Sequence, residues 1–553
     1  MERILARPVL ALAIAALALL VTYMYRKLHH MRLVAHAHLP QHPPSLFWGH
    51  LKVFDEFIKR GVTNRHPDIV LSEMNRALGD PPVMMLDNWP IFPKMVVVRS
   101  HEVARPSSHF PYSVLKSGSV KRIMTLIGDK SILFKQNEEW KDVRKRFNPG
   151  FAPKHLMTLL PVIVDKAGPF IKLLDKFART RDVFSLDEIT TNLTFDVIGV
   201  VTMGEDMEAQ HMDPTRQGEM IRNFKAVIKT FADSKLQPPG WMTPFVHSKR
   251  RALGRRNTQL LEEIVRRSFE SRKTAPGQLS EDKQTTHDES RSVLALSLQE
   301  VETLTPEIME ETCDQLKTFL FAGHDTTSTT IIWAIYELTR TPHALHRVCE
   351  ELDSLFGPGD SGARDPDVVR RKLLEPGTGE DIVRRMTYIG AVMKEVLRLT
   401  PGTEFVVSTS QGDEYNLDDT WVYLDHYMIQ RDRAVFGETA DEFIPERWLH
   451  QEEERGPDGK GKESYGDWSG SGSTPSSAWR AFERGPRNCI GQELANIEAR
   501  VILAFVVRRY DFTKVGLGEL DLDKSGRPAL DDQGRSYRVK SALYNLPVDL
   551  WMG

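Results

Sequence analysis

Phe482-Glu-Arg-Gly485-Pro-Arg487-Asn-Cys489-Ile-Gly491 places one cysteine in a loop framed by glycines, directly before an amphipathic stretch running from Gln492 to Tyr510. Glycines at 485 and 491 let the backbone turn tightly and bring its N–H groups up to the sulfur, and the helix that follows aims its positive end at Cys489. Both effects favour thiolate over thiol, and the thiolate is the metal-binding form. Phe482 is placed to shield the sulfur from water, and Arg487 to meet an anionic group through charge-assisted hydrogen bonds. The plainer alternative is a buried structural cysteine.

This segment resembles the cysteine loop of the cytochrome P-450 family, F-x-x-G-x-R-x-C-x-G, at every fixed position. The resemblance implies a heme b cofactor whose iron takes Cys489 as its axial ligand. Phe482, Arg487 and Gly491 would belong to the cofactor-binding loop, with Arg487 at a propionate. In that family the thiolate pushes electron density toward the iron and favours O–O cleavage.

The rest of the chain is compatible with a large membrane-associated enzyme. Its 553 residues are 41% hydrophobic, and 73 basic side chains nearly balance 76 acidic ones, so no global field argues for nucleic acid as a partner. The three cysteines, Cys313, Cys349 and Cys489, are too far apart for zinc-like spacing or a disulfide framework, and the first two read as small core residues on helices. Val9 to Tyr25 is a nearly unbroken apolar run with Arg3 and Arg7 before it and Arg26, Lys27 and Arg32 after it. At helical rise it spans about 25 Å, close to a hydrocarbon core of about 30 Å. The competing reading is a cleaved signal peptide, but the exit Tyr23-Met-Tyr-Arg-Lys lacks a small-residue cleavage site.

The expected organisation is therefore an N-terminal anchor over 1–27, a basic, proline-rich hinge over 28–48 and a catalytic domain over 49–553. Residues 82–99 read as two short strands, and 154–340 is dominated by helical periodicity. Polar stretches at 273–291 and 451–477 read as mobile surface loops. Asn192-Leu-Thr194 matches a glycosylation sequon inside an apolar helical segment and is read as chance. The fold class is mainly α with small β-sheets. The resemblance makes it the cytochrome P-450 fold preceded by a single N-terminal transmembrane helix.

Three further motifs follow the family order. Ala322-Gly-His-Asp325-Thr326-Thr327 lies near the middle of a helix predicted from Thr305 to Arg340. Its small residues leave a gap, and Ala322 and Thr326 share a face with Gly323. The resemblance makes Asp325 and Thr326 the catalytic acid–alcohol pair that delivers protons. The plainer reading is a core helix whose threonines bond back to its own carbonyls. His324 reads as a packing residue. Glu395 and Arg398 are three apart on one helical face and able to pair with Arg447, a structural triad that secures the cysteine loop in the family. Trp140 and Arg144, at i and i+4, can share one carboxylate, and the family has them at a propionate. Lys141, Lys145 and Arg146 read as the opposite, exposed face of that helix, either a docking surface for an acidic reductase or merely solvated.

One departure stands out: Thr400-Pro-Gly-Thr-Glu-Phe carries no basic residue where family members place a second propionate partner, and the interval from Arg398 to Gln430 is short. A strand that lines the family's pocket is expected to be truncated or altered there. Phe319, Phe405, Val406 and Val407 and residues between Phe110 and Ile127 are candidate substrate contacts.

The resemblance as a whole implies a haem-thiolate monooxygenase. It would insert one oxygen atom of O2 into an apolar small molecule, in a tailoring step of fungal secondary metabolism. Electrons would come from NADPH through a separate flavoprotein, NADPH-cytochrome P-450 reductase, with cytochrome b5 as an additional donor. The chain would be single-pass in the endoplasmic reticulum membrane with its catalytic domain on the cytoplasmic side. Two alternatives stay open: a reductase-independent isomerase or dehydratase, and a catalytically impaired haem-binding protein.

Overall fold

The computed structural model describes residues 2–61, 66–89, 91, 94–108, 115–116, 124–232, 244–274, 291–400, 405–408, 420–449, 475–516, 518–531 and 533–540. Of the expected loops at 273–291 and 451–477, residues 275–290 and 451–474 lie outside these residues, as does most of the stretch from Phe110 to Ile127, while 273–274 end a helix and Ser476–Ala478 form a 3-10 turn. The chain divides into two compact units, one built from 1–105 with 404–429, the other from 106–403 with 430–543.

The first unit opens with helix α1 (Glu2–His29), continued by a π-helical turn His30–Val34. Ala11–Val34 is one helix long and apolar enough to cross a membrane. The proline-rich segment after it is stitched to its own unit: Met85 N–H donates to Pro40 O (2.8 Å), and His42 Nε2 lies 2.9 Å from Met74 O. Helices α2 (Leu51–Lys59) and α3 (Pro67–Ala77) lead to strands β1 (Val83–Leu86) and β2 (Met95–Val98), the expected pair, in antiparallel register Val83↔Val98. Strand β4 (Trp421–Leu424) joins β2 in parallel, and β3 (Phe405–Ser408) closes on β4 in antiparallel. The segment following the unusual Thr400-Pro-Gly thus still yields a four-residue strand, while 401–404 and 409–419 lie outside the described residues. Both faces of the sheet are covered, which explains the unbroken apolar runs in β1 and β2: Met84, Leu86 and Val97 pack with Phe57 and Met74, and Met85, Val96 and Val98 with Ala104 and Ile429.

The second unit is helical. Its main members are α4 (Asn137–Phe147), α5 (Leu160–Thr180), α6 (Leu186–Met203), α7 (Glu219–Ala232), α8 (Pro244–Thr274), α9 (Pro306–Arg340), α10 (Pro342–Phe356), α11 (Thr387–Leu399) and α12 (Gln492–Val506). The central α9 has its start fixed by Pro306 at the first turn and by Thr305, whose hydroxyl accepts from Ile308 N–H. It ends where Thr341 precedes Pro342, a residue that cannot continue the hydrogen-bond ladder. Helices α6, α11 and α12 all pack against it. Closest is α6, because position 323 is glycine: a Cβ there would lie 2.7 Å from Ile198 Cδ1. Gly323 thus faces α6, and its smallness serves helix contact. This corrects the expectation that it shares an open gap with Ala322 and Thr326.

Candidate functional site

The cysteine loop is built by its own backbone. Gly485 adopts φ +79°, Asn488 N–H donates to Gly485 O (3.0 Å) and Cys489 N–H to Phe482 O (2.9 Å). These turns set Cys489 directly before the first turn of α12. Its thiol lies deep among protein atoms, yet the side chain is exposed. Depth together with open surface is the signature of a cavity wall. Burial pushes the Cys489 thiol up, opposed by the N–H groups of Gly491 and Gln492 and by the nearby Arg144. The expectation of a net thiolate preference is therefore corrected for the protein alone: burial outweighs the helix end and the loop amides. A coordinating metal reverses that balance, since it deprotonates a bound thiol outright.

Arg487 donates from Nη2 to Lys135 O (2.9 Å) and Gln136 Oε1 (3.2 Å) and lies 4.8 Å from the Trp140 ring, while its Nε has no partner. No carboxylate among the described residues pairs with it. Burial lowers its pKa to about 10. A half-buried guanidinium with an unspent donor calls for an anion, and the cation–π contact holds it over Trp140 meanwhile. Arg144 is otherwise engaged: Nε donates to Asn148 Oδ1 (2.8 Å), Nη1 to Asn488 O (2.8 Å) and Nη2 to Asn488 Oδ1 (3.1 Å). It ties α4 to the residue preceding Cys489. Arg146 departs from the expected exposed face. Its Nε donates to Ser297 O (3.1 Å) and its Nη1 meets Glu311 (3.3 Å), because α4 turns that residue toward the start of α9.

Behind the loop, the triad closes as its spacing suggested. Arg398 Nε and Nη2 donate to the two Glu395 oxygens, each at 2.8 Å, and Arg447 Nε donates to Oε1 at 2.9 Å. Two partners were not legible in the spacing: Trp448 Nε1 donates to Oε2 and Ile444 N–H to Oε1, each at 2.9 Å. Burial pushes the Glu395 carboxyl up, but Arg398 and Arg447 outweigh it and hold it below the usual range. Gln430 carries the network to the cysteine segment. Its amide donates to Leu397 O (3.0 Å), its Oε1 accepts from Arg480 N–H (2.7 Å), and its carbonyl accepts from Arg398. Trp479 packs edge-on to Trp448 and to Phe482.

On α9, Ala322 is exposed and Thr326 half-exposed in the middle of a helix that is otherwise mostly buried, so this face also opens on free space. Thr326 Oγ1 donates to Ala322 O (2.8 Å), the back-bond of the plainer reading. Asp325 is half-buried, and burial, with Asp187 adding to it, raises its pKa to about 6. His324 is a packing residue, as expected: it stacks on Phe195 (4.0 Å) with Phe224 edge-on, and burial lowers its pKa to about 4. Thr194 Oγ1 donates to His324 O (2.6 Å) and Thr191 Oγ1 to Ser328 Oγ (3.2 Å), tying α6 across this stretch. Phe319 is removed from the substrate candidates, since it is buried edge-on between Phe147 and Phe151 at 5.3 and 5.1 Å. The side chains of Phe405, Val406 and Val407 lie outside the described residues. Cys313 is a core residue as expected, its thiol pushed up to about 12 by burial, whereas Cys349 is only half-buried.

The family model for cytochrome P450 matches residues 85–525, and the chain belongs to that family. Membership carries a haem held by a thiolate and an oxidoreductase chemistry that incorporates molecular oxygen. Among curated relatives, the chain is 29% identical to cytochrome P450 monooxygenase acrF of Aspergillus aculeatus over 81% of this chain and 87% of the relative. It is 25% identical to cytochrome P450 monooxygenase polC of Polytolypa hystricis over 93% and 89%. Human cytochrome P450 4V2 is 26% identical over 68% and 67%.

Proposed function

We propose that this chain is a membrane-anchored monooxygenase that tailors an apolar secondary metabolite, with Cys489 as the axial ligand of its haem. The observation that carries the ligand assignment is the cysteine set deep in the protein with its side chain open, beside an Arg487 guanidinium that has no carboxylate partner among the described residues. Bound there, the haem supplies oxygen activation and the oxidising power for C–H chemistry. Phe482 lies against Trp479 on the protein side of the loop and limits water at the sulfur. Arg487 and the Trp140 indole would hold a propionate, and Arg144 would join them on giving up its Asn488 contacts; the Arg487–Trp140 contact supports this reading. Gly491 presents its N–H to the sulfur.

Asp325 and Thr326 form the proton-delivery pair. A carboxyl titrating near 6 exchanges protons readily near neutral pH. The Thr326 hydroxyl hands a proton on by leaving its bond to Ala322 O. Glu395, Arg398 and Arg447 hold the loop and take no part in proton movement. Electrons come from NADPH through a separate reductase, with cytochrome b5 as an additional donor. α1 anchors the chain in the endoplasmic reticulum with the remainder cytoplasmic, a reading supported by the apolar span and the basic cluster at its exit. The fungal relatives support the secondary-metabolite assignment.

The test is the reduced carbon monoxide difference spectrum of the membrane-expressed protein. A red-shifted Soret band that disappears in Cys489→Ala is expected, while Thr326→Ala keeps the band but consumes electrons without matching product. A Cys489→Ala variant that retains the band overturns the ligand assignment.

A further inference from the structure

Residues 128–136, between the short helix Met124–Ile127 and α4, belong to no helix or strand, so their buried backbone groups need partners from elsewhere. The first half of α9 supplies them. Gln315 is fully buried; its Oε1 accepts from Ile132 N–H (2.8 Å) and its Nε2 donates to Lys130 O (2.7 Å). Asp314 accepts from Lys130 N–H (2.9 Å) and pairs with Lys317 (2.6 Å), and the hydroxyls of Thr318 and Ser131 lie 2.8 Å apart. Gly128 lets the chain wrap this closely: at φ +84°, a Cβ there would lie 2.0 Å from the Asp314 carboxylate.

The clamp is passed on along the chain. Ser131 O accepts from Phe134 N–H (2.9 Å) and from Lys135 N–H (3.3 Å), closing one turn. Directly beyond it, Lys135 O and Gln136 Oε1 accept from Arg487 Nη2 at 2.9 and 3.2 Å, and among the described residues both hydrogen bonds of Arg487 run to this segment. Gln136 O also receives Trp140 N–H (3.1 Å), and the Trp140 ring lies 4.8 Å from the Arg487 guanidinium. Lys135 Nζ returns to α9 at Glu311 (3.6 Å). Positions 311, 315, 318, 322 and 326 recur at the three- and four-residue spacing of a single helix face. The side of α9 that opens at Ala322 and Thr326 is therefore the side bonded to the clamp, with about 16 Å of helix between Gln315 and Thr326.

We propose that Gln315 and Thr318 are positioning residues for Arg487. By holding residues 130–132 they fix the Lys135 and Gln136 acceptors on which the guanidinium rests, and so set it in register with the Asp325–Thr326 stretch of the same helix. The inference rests on the reading of Arg487 as a propionate partner. A planar fork of donors meets a carboxylate in a narrow range of geometries. A shift of the turn, which carries the acceptors and the guanidinium with it, therefore acts on cofactor retention before it acts on the fold.

The test is a double-mutant cycle on the rate at which the full-length holoprotein loses haem to an excess of a haem-scavenging globin, followed by absorbance. Arg487→Lys keeps the charge without the planar fork, and Gln315→Met keeps the side-chain length without its two bonds to the turn. Each is expected to speed haem loss about three- to tenfold, and the double variant to stay within about twofold of the faster single one, because both act along one line of contacts. Thr318→Val is expected to speed loss about twofold, and Thr318→Ser, which keeps the hydroxyl, to return the parental rate. If Gln315→Met takes up no haem, Thr318→Val and Arg487→Lys close the same cycle. Parental rates in Gln315→Met and Thr318→Val, effects that multiply in the double variant, or a Thr318→Ser rate equal to that of Thr318→Val would each overturn the inference and leave Arg487 its role. An Arg487→Lys variant that loses haem at the parental rate would instead overturn the propionate reading beneath it.

Discussion

Two carboxylates of the second unit, Glu395 and Asp325, sit in regions organised on opposite lines. Glu395 is fully buried and receives five hydrogen bonds, from Arg398 twice, Arg447, Trp448 and the Ile444 backbone, at 2.8–2.9 Å. No donor among the described residues reaches the Asp325 carboxylate, and the hydroxyls around it bond to carbonyls of their own helix or across to α6. The first is pinned ionised in one geometry. The second is left with a pKa of about 6 and free to change partner. A buried ion with every lone pair engaged fixes a scaffold, whereas a half-buried acid without a partner keeps both protonation states within reach.

That contrast can be broken at four points. Glu395→Ala leaves two arginines and an indole N–H without an acceptor and is expected to cost about 3–5 kcal/mol. Denaturant titration of the holoprotein checks it, together with loss of the thiolate-type band; a cost under about 1 kcal/mol would mean the network does not hold the loop. Asp325→Asn tests the other side through pH. Because the folded pKa lies above the ordinary 3.8, the native state keeps a proton that the unfolded chain has released. Stability is therefore highest below the ordinary value and falls as pH rises through about 6. The asparagine variant is expected to lose that fall and to exceed the parent by as much as about 3 kcal/mol at pH 8, read from melting temperatures across pH. Parallel pH curves for the two proteins would show that Asp325 is already ionised at no cost.

Gln430→Ala is a smaller perturbation that sharpens the first region. It orphans Arg480 N–H and removes a donor from Leu397 O, for a cost of about 1–2 kcal/mol. Its diagnostic sign is faster haem loss at unchanged helix content. Least of all in stability, Thr326→Val should shift unfolding by no more than about 0.5 kcal/mol, since the hydroxyl only back-bonds within α9. It should nonetheless raise the ratio of NADPH consumed to product formed.

Much of this was legible in the chain because the signals are local. The strand pair inside 82–99, the long helix up to Arg340 and the Glu395–Arg398 pairing each depend on spacings of a few residues, and all three appear as read. What escaped depends on which faces meet across more than thirty residues. Trp448 and Gln430 complete the network only after the segments that carry them fold onto α11. Gly323 reads as a gap, but Ile198 packs against it, and Phe319 and Arg146 read as available, but the packing of α4 and α9 engages both. The thiol was misjudged for a related reason: loop amides and a helix end can be read from sequence, but the depth of burial that opposes them cannot.

The buried tripeptide Asn192-Leu-Thr194 has a consequence for how this protein is made. Asn192 accepts from Lys225 Nζ (2.5 Å) and the Thr194 hydroxyl is spent on His324 O, so the folded chain offers neither group to a glycosyltransferase. A sugar at position 192 can therefore be added only to a chain that entered the secretory lumen and was met there still unfolded. On the proposed topology the motif reports misdirected synthesis: a mass shift at Asn192 would mark molecules that met the glycosyltransferase before they folded.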